Sequence, residues 1–374
     1  MGVPPLKKIS HSAPFHLAIP ALFFCLSASF LPAAVVAGSG RALHPSPKRS
    51  LQLYSMSHPA MGTIYSLYLY AHSRAEADAD AAAVFNEVDR VEDLLSNYQE
   101  TSELSRINRD AATSDVTTDP ETFHFLQTSF AWSARSNGAF DITVGKLMKV
   151  WGFFKAKGTI PTEAELTRVR SEVGWQRVQL NSAQRTVRFL SPGVELDPGG
   201  IGKGYAVERS VKIMREQGVV AALLSAGSST MYALGAPPGQ PGWKIRVPAL
   251  GHANSILSTV ILRDTSLSTA NCSEKNFTYA GHLYCSIMDP HTLHPVEGML
   301  QVTVISPSAT DSDALSNVLF VLKPKDSASL LQQLPQDSAL IVSGKTNAAQ
   351  CETLRWSAAI VSGYCTNTKT AKEN

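Results

Sequence analysis

Excess charge is the first thing this sequence lacks. Its 374 residues carry 33 Lys and Arg against 31 Asp and Glu, and the first 37 contain Lys7 and Lys8 but no acid. The remainder balances at 31 of each sign, which offers nucleic acid no general attraction and argues against it as a partner. Cysteine is scarce, five in all, and no spacing among them is a zinc pattern. Internal repeats and low-complexity tracts are absent, which excludes a solenoid. Two common nucleotide loops are missing as well. A Walker loop ending at Gly202-Lys203 needs glycine where Asp197 stands and Ser or Thr where Gly204 stands. The dinucleotide fingerprint, begun at Gly200, needs glycine at Tyr205.

What is present describes a globular chain, 44% hydrophobic and 17% charged, large enough for one big domain or two. At the N-terminus, Lys7 and Lys8 precede an apolar run over 17–37 that contains Pro20 and Pro32 and ends Val35-Val36-Ala37. Residues 1–37 read as a secretory signal peptide. A retained membrane anchor is the alternative, since the run is long enough to span. A linker over 38–50, a main domain over 51–345 and a C-terminal tail over 346–374 follow. The expected location is the periplasm, or the outer side of the inner membrane with peripheral membrane association. Beyond the leader, Cys272, Cys285, Cys351 and Cys365 form an even set in an exported chain. Three full pairings exist, and pairing of sequence neighbours is the expectation.

One stretch organises the rest: Glu195-Leu196-Asp197-Pro198-Gly199-Gly200-Ile201-Gly202-Lys203-Gly204-Tyr205. Val187, Phe189, Val194 and Leu196 alternate around a Ser191-Pro192-Gly193 turn, predicting two short strands that deliver Asp197 to a sheet end. Four glycines in six residues let backbone approach a ligand, and a helix beginning there points N–H groups at the same spot. Phosphate suits such a place; a ligand-free tight turn is the other reading.

Elsewhere, alternation over 51–70 predicts one or two strands. Val84, Val88, Val91 and Leu95 predict a helix over 75–95, and Asp119-Pro120-Glu121 opens another with an apolar line Phe123, Leu126, Phe130, Ala134. The glycine-loop helix runs to Gly218, and strands are expected over 219–225, 241–247 and 339–343. A helix opens at 311–317 with Leu315, Leu319 and Leu322 on its apolar side. The class expected is α+β, mixed β-sheets flanked by helices.

Asp197-Pro198-Gly199-Gly200-Ile201-Gly202-Lys203-Gly204-Tyr205-Ala206-Val207 resembles the central signature of the ApbE-type FAD:protein FMN transferases. Further blocks resemble that family in the same order: Met61-Gly62-Thr63, Ser96-Asn97-Tyr98, Ser102 to Asn108, Gly138 to Val144, and Tyr284 to Pro290. The resemblance implies a two-lobed fold with FAD in the inter-lobe cleft, and FAD contacts at Met61, Tyr98, Ala139, Phe140, Asp141, Asp197, Lys203 and Ile287. It also implies a magnesium ion held by Asp313, Asn317 and the carbonyls of Gly200 and Ser316. Asn317 replaces the family's threonine, and an amide oxygen can still ligate a hard cation. By their residue types alone, Met61 is a strand methionine, Phe140 a core aromatic, and Asp313 and Asn317 a helix cap and a helix-face amide. Asp141, an acid in an apolar stretch, needs a partner in protein, ligand or water.

The implied activity is transfer of FMN from FAD, through a phosphoester bond, to a Thr or Ser hydroxyl of an exported or membrane acceptor protein, releasing AMP. Where the family has its functional histidine, this sequence has Ser286. His282, His291 and His294 are near in sequence. His282 lies about 13 Å along an extended strand, leaving His291, past the Asp289-Pro290 turn, as a weak substitute. Two alternatives keep FAD without protein modification: a non-catalytic periplasmic FAD-binding protein, and an FAD pyrophosphatase giving FMN and AMP.

Overall fold

Nine strands form the main sheet, and seven of its eight pairings are antiparallel. The computed structural model describes residues 50–154, 157–249, 255–273, 275–345, 348–361 and 363–370. The signal peptide expected over 1–37, and all of the linker but Ser50, lie outside the described residues. Among those residues no helix is long and apolar enough to cross a membrane.

In spatial order the sheet runs Gln52–Ala60, Thr63–Ala71, Ala221–Ala226, Thr230–Gly235, Thr265–Asn271, Met299–Ser306, Ser338–Lys345, Ala348–Leu354 and Cys365–Thr370. The last two strands pair in parallel. They come from the segment expected as a tail, so the sheet continues past 345. The disulfides pair sequence neighbours, Cys272 with Cys285 and Cys351 with Cys365, and the second joins those last two strands.

Alternation decides which face of the sheet meets what. Tyr65, Leu67 and Leu69 of one strand, with Ala222 and Leu224 of its neighbour, enter the large core. Three helices cover that face: α1 (Arg74–Leu95), α6 (Gly202–Glu216) and α7 (Ala309–Gln332). The odd-numbered Ala221 and Ala233 face the other way, onto a ribbon formed by Trp243–Pro248 and Ile256–Leu262. Four further helices lie between α1 and α6 in the chain: α2 (Glu103–Asp110), α3 (Pro120–Arg135), α4 (Gly145–Val150) and α5 (Glu163–Val169).

Local chemistry sets the helix ends. Ser73 caps α1 by accepting from the Glu76 N–H, and Val84, Val88, Val91 and Leu95 are fully buried as the spacing predicts. Asp119 caps α3 with Pro120 in its first turn. Its buried line is Phe123, Leu126 and Phe130, but it continues through Trp132 and Ser133; Ala134 is exposed. Asn137 and Gly138 then take left-handed backbone, φ 51° and 82°, and their N–H groups return to Ala134 and Ser133. In α7, Lys323 at φ 62° and Pro324 make a kink.

One predicted strand does not form. Thr186–Phe189 pairs with Val178–Asn181 and Val116–Thr117, but 194–196 is irregular. Its ladder is reduced to a single parallel bridge of Glu195 with Val144 and to one side chain: Asn108, on α2, accepts from Leu196 N (2.7 Å) and donates to Leu196 O (3.0 Å). Asp197 N then donates to Ile142 O at 2.7 Å. Every backbone group so satisfied frees the chain from a sheet partner.

A partly buried ion network joins α1, α3 and α6. Arg90 donates twice to Glu87 at 2.8 Å, Arg209 reaches Glu87 at 3.1 Å and Glu121 at 3.3 Å, and the Tyr205 hydroxyl bonds Glu121. Chiefly through the Arg90 hydrogen bonds, the Glu87 carboxyl is held below the usual range. Its stabilisation is therefore present above the unfolded carboxyl's pKa and is lost as pH falls through the depressed folded value. Glu87→Gln should lower the melting temperature at pH 7 by about 2–5 °C, from a loss of about 1–2 kcal/mol with Arg90 partly exposed. The gap from wild type should narrow as pH falls below about 4; differential scanning calorimetry across pH checks it.

Candidate active site

The candidate site is a cavity of about 730 Å³ walled by segments remote in sequence. Its first wall is the turn between the sheet's first two strands. Ala60 pairs with Thr63, leaving Met61 and Gly62 as a two-residue loop with φ 49° and 70°. Both positive angles match the twist of a tight hairpin, but methionine adopts this conformation at a cost. The Met61 sulfur accepts from the buried Tyr65 hydroxyl at 3.1 Å.

Opposite stands the glycine loop. Ile201 offers α6 no capping side chain, so the first turn is capped from outside. Gly202 N donates to Pro198 O at 2.7 Å, Tyr205 N to Ile201 O at 3.0 Å, and Gly204 N to an Asp313 carboxylate oxygen at 2.8 Å. These are N–H groups expected to greet a phosphate, and they are engaged within the protein. Asp313, on α7, thus caps α6, rather than its own helix. A carboxylate there also suits the positive end of the α6 dipole.

Asp313 is 2% exposed, and burial pushes its carboxyl above the usual range despite the Lys203 charge and the Gly204 amide. The hydroxyls of Thr230 and Ser268 also bond it, as a buried acid requires. Asn317, one turn on, donates through Nδ2 to Gly200 O at 3.2 Å and Asp313 O at 3.0 Å. Asp313, Asn317, Gly200, Lys203 and Asp197 all line the cavity. Ser316 does not; its hydroxyl donates to Asp313 O at 2.9 Å. Asp197 closes its own turn on Gly199 N at 2.8 Å.

The third wall runs through Ala139, Phe140 and Asp141, which line the cavity and are buried. The partner that Asp141 needs is protein: it accepts from Thr143 N (2.8 Å), the Thr143 hydroxyl (2.7 Å) and Trp175 N (2.7 Å). Burial still pushes this carboxyl up. Tyr98 is exposed at the rim, and one face of its ring lies parallel to Phe154, with the ring centroids 4.5 Å apart. Lys275 Nζ reaches the Tyr98 hydroxyl at 3.3 Å. Ile287 and Ser286 complete the fourth wall, beside a hairpin of Asn276–Tyr279 and His282–Cys285.

Comparison with known proteins shows the family and the fold. The sequence profile described as the ApbE family fits residues 61–342, most of the chain. The chain belongs to the ApbE family. A relative from Klebsiella pneumoniae (strain 342), named FAD:protein FMN transferase, is 29% identical over 78% of this chain and 89% of its own length. One of the same name from Treponema pallidum (strain Nichols) is 27% identical over 77% and 84%. Among solved structures, the ApbE protein of Thermotoga maritima superposes with a TM-score of 0.73 at 27% identity, covering 79% of this chain and 96% of that one. The apo flavinyl transferase ApbE of Pseudomonas stutzeri shares the fold, with a TM-score of 0.72 at 24% identity over 81% and 95%.

Within this ApbE chain the histidines near Ser286 stay out of the cavity wall. His291, the suggested substitute, donates from Nε2 to Asn137 O at 2.9 Å and sits 3.3 Å from Asp289 through Nδ1. The Asp289-Pro290 turn folds it against the α3 terminus rather than toward Ser286. His282 is exposed, and His294 packs edge-on to Trp151. Residues that sequence reasoning left without a role include Asn108, Thr230 and Ser268. Asn108 lies in a block noted for its resemblance, which was the available signal.

A Cβ placed on Gly204 would lie 2.3 Å from Ala309 O and 2.5 Å from Asp313 Cβ. Gly204→Ala should therefore part α6 from α7, at about 1–3 kcal/mol and about 2–6 °C of melting temperature. Thermal melting of the variant checks it; an unchanged midpoint would contradict the contact.

Proposed function

We propose that this protein is a magnesium-dependent FAD:protein FMN transferase that attaches FMN to a Thr or Ser of an exported acceptor protein and releases AMP. One observation carries the reading: blocks from six separate parts of the chain converge on one cavity whose wall joins the glycine loop to Asp313. The names of the relatives support it.

In the reaction, the acceptor hydroxyl oxygen bonds to the phosphorus on the FMN side, and the bridging oxygen leaves with AMP. The attack must occur inside the cavity, where Lys203 can offset phosphate charge. For magnesium, the donor set fits in kind, since the Asp313 carboxylate, the Asn317 amide oxygen and the Gly200 carbonyl are hard oxygens, but Asn317 presents Nδ2 rather than its oxygen to Gly200 O, at 3.2 Å, and would have to turn its amide over to ligate. Ser316, whose carbonyl the resemblance adds to the set, is not in the cavity wall. Magnesium bound there would supply positive charge for the pyrophosphate oxygens.

With Ser286 where the family has histidine, no imidazole takes the proton of the attacking hydroxyl, which passes instead to solvent or to the departing AMP phosphate, so transfer is expected to be slow. Export to the periplasm, or to the outer side of the inner membrane, is supported by the apolar leader and by two formed disulfides.

Mass spectrometry of an acceptor domain incubated with the protein, FAD and magnesium tests the function. Added FMN mass is expected. Bound FAD without products would instead favour an FAD-binding protein, and free FMN with AMP a pyrophosphatase. Ser286→His should raise the transfer rate about 100-fold or more, the usual contribution of a positioned base; single-turnover rates measure it.

A further inference from the structure

Resting on the flavin reading above, we infer that Tyr65 is a positioning residue for FAD binding: its buried hydroxyl clamps the thioether of Met61 into the cavity wall and so presets the surface that meets the ligand. The hydroxyl donates to the Met61 sulfur at 3.1 Å and has no other hydrogen-bond partner among the described residues. Tyr65 is fully buried in the large core. Phenylalanine would fill that space without a hydroxyl to desolvate. Thioether sulfur is a weak acceptor, so the bond offsets little of that cost in the ligand-free fold. Burial, and next the charge of Asp313, push the hydroxyl's pKa up, which keeps it a donor.

The choice of methionine points the same way. Position 61 holds φ 49° in a two-residue hairpin loop, where Asn, Asp or Gly is preferred. A strained residue persists where its side chain has a use. Left alone, a thioether side chain with three rotatable bonds would sample many positions at the cavity wall and lose that freedom when a ligand orders it. Here both of its ends are placed. The sulfur accepts from Tyr65, and the Cε methyl reaches across to the glycine loop, 3.6 Å from where a Cβ on Gly202 would stand. Met61 and Gly202 line the cavity whereas Tyr65 does not, so an effect of Tyr65 on the ligand must pass through Met61.

The test is a double-mutant cycle on the full-length protein: wild type, Tyr65→Phe, Met61→Leu and the double variant, each titrated with FAD. Tyr65→Phe should bind FAD about 5-fold more weakly, while its ligand-free melting temperature stays within about 2 °C of wild type. In the Met61→Leu background the same change should leave FAD affinity where Met61→Leu alone puts it. Effects that multiply in the double variant, or a Tyr65→Phe that binds FAD as wild type does, overturn the inference. So does a Tyr65→Phe that melts far lower or does not fold, which would mark the hydroxyl as structural. A readout independent of flavin is the NMR spectrum of ligand-free protein with isotope-labelled methionine methyl groups. The Met61 resonance, assigned by its loss in Met61→Leu, should move in Tyr65→Phe, and an unmoved resonance overturns the clamp. A wild type that binds no FAD refutes the flavin reading itself and leaves this spectrum to decide the clamp.

Discussion

The hydrogen bond from Gly204 N to Asp313 is the constraint on which the site depends. It caps α6 from α7, across 109 residues of chain, and so fixes how the two helices meet over the sheet. A carboxylate this deeply buried carries a desolvation cost that must be offset by charge and hydrogen bonds. Lys203 and the hydroxyls of Thr230 and Ser268 share that task with the amide. Glycine at 204 follows from the same contact, because Ala309 and Asp313 occupy the space a side chain would take. The loop's glycines thus serve helix packing at least as directly as they serve backbone access to a ligand.

Around that joint, each wall of the cavity is stabilised by its own short-range chemistry. Met61 and Gly62 turn a hairpin, Asp141 organises the Thr143 and Trp175 amides, and Asn108 replaces a strand partner for Leu196. The walls are therefore largely formed without ligand, as a site built on sheet ends and helix termini tends to be.

How far the sequence revealed this depended on the range of the interactions involved. Helices α1 and α3 were legible because their caps and apolar spacing lie within a few residues, and the α+β class followed from alternating and helical patterns. The strand expected at 194–196 was not found because a side chain 88 residues away takes its hydrogen bonds. The strands after 345 were hidden for a related reason: their place in the sheet comes from long-range pairing and a disulfide. In the site, the resemblance located the cavity residues, except Ser316. It could not reveal that Asp313 caps a distant helix, that Phe154 stacks on one face of the Tyr98 ring, or that His291 turns to Asn137, since each depends on contacts between separate segments.

The bond between Cys272 and Cys285 spans the hairpin that stands beside Ser286 and carries Lys275, Asn276 and Phe277 of the cavity wall. That hairpin forms a sheet of its own, separate from the nine-stranded one. Its anchorage at both ends is a covalent link made only where thiols are oxidised. With its thiols reduced, this rim of the cavity would lose the covalent link between its two ends and rest on weaker contacts such as that of Phe277 with Phe153 and of Lys275 with Tyr98.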